Sequence, residues 1–207
     1  MFKLFAQSGC GSMAVEAALS VCAAPHEIEY LSRGPDRKFA ESFHRINPMG
    51  QVPTLILPDD AVMTESAAIL IYLGDLHPQS RLAPEPASPL RPRFLRWLVF
   101  LATAVYPSDL RYYYPERHST GPEAADGIKA QAALDMGRQL GIFAEALGPG
   151  PFVLGDAMCA VDLYAAMMAS WTPDGAALFA AHPNLEILCG RVAAHPAVAE
   201  VWARNGL

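Results

Sequence analysis

The chain has 207 residues, 52% of them hydrophobic and 17% charged, with a formal net charge of −6. That length holds one large domain or two small ones around a substantial core, and the balance of apolar to charged residues excludes disorder. No apolar run approaches the roughly 20 uncharged residues of a membrane span, and an acidic chain without clustered Lys and Arg is not built to neutralise phosphates, so neither a membrane nor a nucleic acid is an expected partner.

Residues Phe2 to Ala6 form a short apolar run that predicts a strand, followed by the turn Ser8-Gly9-Cys10-Gly11-Ser12 and a helix from Met13 through Cys22. The apolar stretch Met13 to Ala24 is interrupted by Glu16 and preceded by a single cation, Lys3, which argues against a secretory signal. His26 to Leu31 alternates as a half-buried strand, and Phe39, Phe43 and Ile46 fall at helical spacing in the segment that begins at Asp36. Asn47-Pro48-Met49-Gly50 ends that helix; Val52 to Leu57 and Ala61 to Met63 then predict two strands across Pro58-Asp59-Asp60, with a helix over Glu65 to Leu76. The order is βαβαββα, a compact mixed-sheet domain over residues 1–79.

Pro84, Pro86, Pro89 and Pro92 mark residues 80–92 as a linker. Helical patterns fill residues 93–207, over Arg93 to Val105, Ile128 to Leu147, Asp162 to Trp171 and Leu185 to Arg204. The fold class expected is therefore α/β followed by an all-α domain. Cys10, Cys22, Cys159 and Cys189 form neither a CxxC pair nor a zinc-finger spacing, so no metal site is expected and a reducing, cytoplasmic setting fits.

Two segments suggest a ligand. Pro53 cannot donate a ladder hydrogen bond, so the strand starts at an edge or after a tight turn and leaves the backbone of Val52 available to an extended partner. Glu65 and Ser66 open a helix, where free N–H groups and a hydroxyl meet an anion while the carboxylate meets a cation. An amino-acid head group carries both charges.

Three stretches taken together, Ile46-Asn47-Pro48-Met49-Gly50-Gln51-Val52-Pro53-Thr54-Leu55, Thr64-Glu65-Ser66-Ala67-Ala68-Ile69, and Val153-Leu154-Gly155-Asp156 leading to Val161-Asp162-Leu163-Tyr164, resemble the cytosolic glutathione transferases, specifically their bacterial, beta-like members. The resemblance spans essentially the whole chain. It implies a thioredoxin-like N-terminal domain, a helical C-terminal domain that takes the electrophile, a homodimer in the cytoplasm and a role in detoxification. It also implies that Pro53 is cis, that Val52 pairs with the cysteinyl unit of glutathione, and that Gln51, Val52, Pro53, Glu65 and Ser66 are the glutathione-binding residues. Arg37, Lys38 and His44 are candidates for the glycine carboxylate.

The thiol-activating group is less uniform in that family. Phe5 and Ala6 stand where tyrosine-type members carry Tyr, and Gly9 stands near the serine position, leaving Cys10, Ser8 and Ser12 as the catalytic candidates. Cys10 lies where a helix N-terminus favours a thiolate, and it can donate to the glutathione thiolate, form a mixed disulfide with it, or pack. Ser12 reads as the helix N-cap. Tyr106, Arg111 and Tyr113, in a run that includes Tyr112 and Tyr114, are the expected substrate-binding residues for a small hydrophobic electrophile, with Trp171 as a second wall. Cys159 replaces the family's usual Ser or Thr cap before Asp162, which should weaken that cap by ~1 kcal/mol. The expected reaction is conjugation of glutathione to electrophiles. The alternatives are a glutathione-dependent disulfide reductase or peroxidase working through Cys10, and a non-catalytic glutathione-binding regulator.

Overall fold

The computed structural model describes residues 1–207. The first half runs β1 (Phe2–Ala6), α1 (Ser12–Val21), β2 (His26–Tyr30), α2 (Glu41–His44), β3 (Thr54–Ile56), β4 (Val62–Met63) and α3 (Ser66–Leu76). The four strands lie in the order β2-β1-β3-β4. β1 and β2 are parallel, as a helical crossover requires, while β3 pairs antiparallel with β1 and β4 antiparallel with β3. This is the expected thioredoxin-like βαβαββα order.

The second half is helical: α4 (Arg91–Phe100), α5 (Tyr106–Tyr113), α6 (Ala125–Glu145), α7 (Ala160–Ser170), α8 (Gly175–Ala181), α9 (Pro183–Ala193) and α10 (Pro196–Arg204). By packing, the chain forms two compact units. One contains Met1–Pro86 together with Ala194–Leu207, and the other contains Ala87–Ala193. The C-terminal segment, read from sequence with the helical half, therefore belongs with the α/β unit.

In that unit every residue of α1 from Ser12 to Leu19 is buried, because α3 and α10 both pack against the helix. Glu16 is among those buried residues, an expensive location for a carboxylate unless it is paired. A second apolar cluster of Phe5, Phe39 and Phe43 sits by the loop that precedes α2. Phe43 packs on Phe5 and Phe39 with ring centroids 5.4 and 5.3 Å apart. In the helical unit the core gathers around Trp97, Phe94, Phe143 and Tyr164, with Trp97 edge-on to Phe143 at 5.3 Å.

Several elements differ from expectation. The helix expected from Asp36 shrinks to the single turn of α2. Arg37 has φ 62°, and the Gly34 N–H closes a turn on the Lys38 carbonyl at 2.8 Å, so Phe39 reaches the core from a loop. The stretch Leu185 to Arg204 is two helices, parted at His195 because Pro196 must start a helix rather than continue one. α8 carried too few large apolar residues for its period to register. Finally, α4 starts at Arg91, with the linker's Pro92 inside its first turn where no N–H is needed.

The helix after α4 does not stop at Val105. Leu101–Val105 forms a wide π-type turn, in which the Tyr106 N–H reaches back five residues to the Leu101 carbonyl, and α5 follows directly. Pro107 accounts for this: its ring would strike the carbonyl four residues earlier and it offers no N–H, and a widened turn relieves both.

Candidate functional site

Sheet register brings the segments around Cys10, Val52 and Glu65 together. Thr54, the first residue of β3, pairs with Phe5 near the end of β1, while Leu55 pairs with Met63 at the end of β4. The turn after β1, the loop before β3 and the start of α3 therefore meet at one end of the sheet. The end of β2 reaches the same place, since Ala6 pairs with Tyr30.

The loop before β3 is held from beneath by two buried side chains. Asn47 donates from Nδ2 to the Gln51 carbonyl at 2.8 Å and to Thr54 Oγ1 at 2.9 Å, and Thr54 Oγ1 donates to the same carbonyl at 3.0 Å. Asn47 Oδ1 accepts the Met49 N–H at 3.1 Å. Gly50 sits at φ 58° with its backbone against His44, where a Cβ would collide with the imidazole. The Val52–Pro53 bond is cis, as the family resemblance implied. Val52 stands beyond the β1–β3 ladder, so its peptide groups take no part in that ladder.

Glu65 is exposed and holds φ 64° and ψ 99°, a conformation that side-chain-bearing residues rarely adopt. Its carbonyl accepts the Ile69 N–H at 2.9 Å and starts α3, while its carboxylate makes no capping bond. Strain of this kind costs about 1–3 kcal/mol and persists where surrounding structure imposes it, most often at ligand sites. Ser66 is buried at the first helical position.

The three catalytic candidates part company. Ser12 does not cap α1, because Gly11 is the N-cap. The Ser12 hydroxyl instead accepts from the Gln7 N–H and donates to the Gln7 carbonyl, both at 3.1 Å, so its proton is committed to the turn. Ser8 is exposed and donates to the Arg204 carbonyl at 3.3 Å. Cys10 is half-buried just before α1, with its carbonyl accepting the Met13 N–H at 3.0 Å. Burial pushes the other cysteines up as acids: Cys22 is raised, Cys159 is held well above the ordinary thiol range, and Cys189 reaches about 12. Three sulfurs are thus locked as thiols.

In the helical unit, Tyr106 stacks at a tilt on Trp171 with centroids 5.8 Å apart and meets Tyr164 edge-on at 6.2 Å. Tyr113 donates its hydroxyl to the Trp171 carbonyl at 2.8 Å. Tyr106 and Tyr113 are therefore joined through Trp171, and Arg111, on the same helix, is exposed. Asp109 lies on the same helix between the two tyrosines. It is buried, one carboxylate oxygen has no hydrogen-bond partner, and burial raises its pKa from 3.8 to about 7.

The arrangement has close counterparts among known proteins. Residues 12–76 match the family model described as glutathione S-transferase, N-terminal domain. The whole chain is 32% identical over 208 residues to the uncharacterized GST-like protein YncG of Escherichia coli strain K12, covering 99% of this chain and 98% of that one. The chain belongs to the glutathione transferase family. Among solved structures, a sphingomonad glutathione S-transferase complexed with glutathione superposes with TM-score 0.81 at 31% identity, covering 99% of each chain. A glutathione transferase homolog from sulfitobacter superposes with TM-score 0.90 at 24% identity over 100% of this chain and 99% of that one, a likeness of fold.

Within this family member, several site residues lay outside the sequence reading. Asn47 registered only as part of a helix-ending tetrapeptide, although it is the polar floor of the Val52 loop. Arg33 donates to Gln7 Oε1 at 3.1 Å and to the Arg37 carbonyl at 2.8 Å, and its guanidinium covers Phe39 at 4.3 Å, so a cation other than Arg37, Lys38 or His44 is bonded directly to the end of β1. Asp109 was findable, because a carboxylate three residues after one tyrosine and four before another shares their helix face. Asn205 and Arg204 were not, since nothing in their local pattern points to residues near position 10.

Proposed function

We propose that this family member is a glutathione transferase that joins the sulfur of glutathione to an electrophilic carbon of a small apolar compound. The observation that carries the reading is the convergence of the Cys10 turn, the Val52 edge and the strained Glu65–Ser66 helix start at one end of the sheet. Val52 offers strand-like pairing to the cysteinyl unit, Glu65 takes the γ-glutamyl ammonium, and Ser66 with the first-turn N–H groups of α3 takes its carboxylate. Gln51 and Pro53 shape the edge. The sphingomonad glutathione S-transferase, solved in complex with glutathione, supports glutathione as the ligand.

Cys10 is the group next to the reacting sulfur. As a thiol it donates to the glutathione thiolate, which attacks the electrophilic carbon; a C–S bond forms and the leaving group departs with its bonding pair. Tyr106 and Tyr113, tied to Trp171, supply the aromatic surface for the electrophile. A cytoplasmic homodimer completes the reading, and light scattering in solution tests the dimer.

One observation favours a second reading. Cys10 is half-buried at the turn into the α1 N-terminus, whereas burial raises the other three thiols, and that placement also suits thiol–disulfide exchange. In that reaction the Cys10 thiolate attacks a glutathione mixed disulfide, takes the glutathionyl sulfur and releases the other thiolate; a second glutathione thiolate then regenerates Cys10 and leaves as oxidised glutathione.

Wild type, Cys10→Ala and Cys10→Ser are assayed for conjugation of a chlorinated nitroaromatic and for reduction of a glutathione mixed disulfide. Conjugation that falls about tenfold or more in Cys10→Ala and is partly kept in Cys10→Ser supports transfer with Cys10 as donor. Disulfide reduction abolished by both substitutions supports exchange. A wild type that binds glutathione but does neither is a binding protein, and full activity in Cys10→Ala removes Cys10 from the site.

A further inference from the structure

The last residues of the chain return to the turn that carries Cys10. Asn205 is buried beside it: its Oδ1 accepts the Gly9 N–H at 3.0 Å, and its Nδ2 donates to the Val201 carbonyl at 2.8 Å and to Glu16 Oε2 at 3.3 Å. With acceptors on one side of the amide and a donor on the other, only one orientation of the side chain satisfies all three. Next to it, Arg204 reaches Glu16 Oε1 with Nε at 3.0 Å and Nη2 at 2.8 Å, and Tyr30 donates its hydroxyl to Glu16 Oε2 at 2.8 Å. The Arg204 carbonyl accepts the Ser8 hydroxyl at 3.3 Å. Both residues immediately before Cys10 are therefore held by the two residues that end α10.

The Glu16 carboxylate is fully buried, and its four donors hold it in one place. It thereby anchors Asn205. Gly9, at φ 68°, turns its N–H toward Asn205 in a conformation that a β-carbon would disfavour. The backbone leading into Cys10 is thus fixed from a site 196 positions away in the chain.

We propose that Asn205 is a positioning residue for the Cys10 turn, orienting Gly9 and Cys10 so that the helix N-terminus acts on the Cys10 sulfur. The inference rests on the reading that Cys10 is the working group, but neither test of it uses glutathione. The first is the pH profile of Cys10 alkylation by iodoacetamide, followed by mass spectrometry, in wild type, Asn205→Ala and Val198→Ala. Val198 is buried on the same helix, so its truncation loosens α10 while leaving the Asn205 bonds in place.

In Asn205→Ala the alkylation midpoint should rise by about half a pH unit and the rate near neutral pH should fall about threefold, the size of a helix-terminus effect on a thiolate. Val198→Ala should follow wild type. A profile for Asn205→Ala that superimposes on wild type overturns the proposal, as does an equal shift in Val198→Ala. The second test needs no variant: hydrogen exchange at the Gly9 amide of the wild-type protein should be slowed at least tenfold relative to an open loop, and exchange at the open-loop rate overturns the proposal. Loss of glutathione binding would instead count against the proposed function and leave both readouts in force.

Discussion

Asp109 shows how one buried side chain makes stability depend on pH. The unfolded chain releases this proton near 3.8 and the folded chain near 7, so between those values the unfolded state is the more ionised and stability falls as pH rises. Asp109→Asn keeps the shape and removes the charge. It should leave stability near pH 4 unchanged and raise it by about 4 kcal/mol above pH 7, read from denaturant midpoints across pH. A variant no more stable than wild type at pH 8 would show that the carboxylate is solvated there. The opposite case is Glu16, whose carboxylate is paired. Arg204→Met should cost about 2 kcal/mol by the same measurement, less than a fully buried pair would because the Arg204 side chain is 45% exposed. In the sequence Glu16 registers only as a charge that interrupts an apolar stretch. Its partner lies 188 positions away, and no local pattern carries that information.

At the scale of elements, what the sequence reveals is what period and turn chemistry encode. The strands and helices of the α/β half are legible because alternation, Gly-rich turns and helix-start residues agree with one another. The helix expected after Asp36 fails for the same kind of reason: Phe39 and Phe43 keep helical spacing, but the Gly34–Lys38 turn and the φ of Arg37 direct the chain into a loop. The wide turn before Pro107 has no counterpart in the sequence expectation, which ends the helix at Val105. At the cap of α7, Asp162 accepts the Cys159 N–H at 2.8 Å and the Val153 N–H at 2.9 Å, so the reciprocal box forms with a sulfur in the usual hydroxyl position. Cys159→Ser should raise stability by about 0.5 kcal/mol, because a hydroxyl accepts the Asp162 N–H better than a thiol does. A lower melting temperature in that variant would show that burial of the sulfur outweighs its weak capping.

At the scale of the whole molecule, the α/β unit is discontinuous in sequence. Residues Met1–Pro86 pack with Ala194–Leu207, and α10 covers a face of α1 that includes Glu16. A fragment ending at Pro86 should therefore expose that face, bind a hydrophobic dye and lack a cooperative melt, and a peptide of residues 194–207 added in excess should restore cooperativity. A fragment that melts cooperatively alone would show that α10 is dispensable. Family membership and fold were both legible because motifs in each half of the chain keep their order and spacing. The long return of the C-terminus was not, because it is a tertiary contact with no local period. On the proposed reading, the sheet end formed by Val52, Glu65 and Ser66 holds glutathione. In a calorimetric titration, wild type should bind one glutathione per chain and Glu65→Ala should bind it at least about tenfold more weakly, whereas no binding by wild type, or equal binding by both, would contradict that reading.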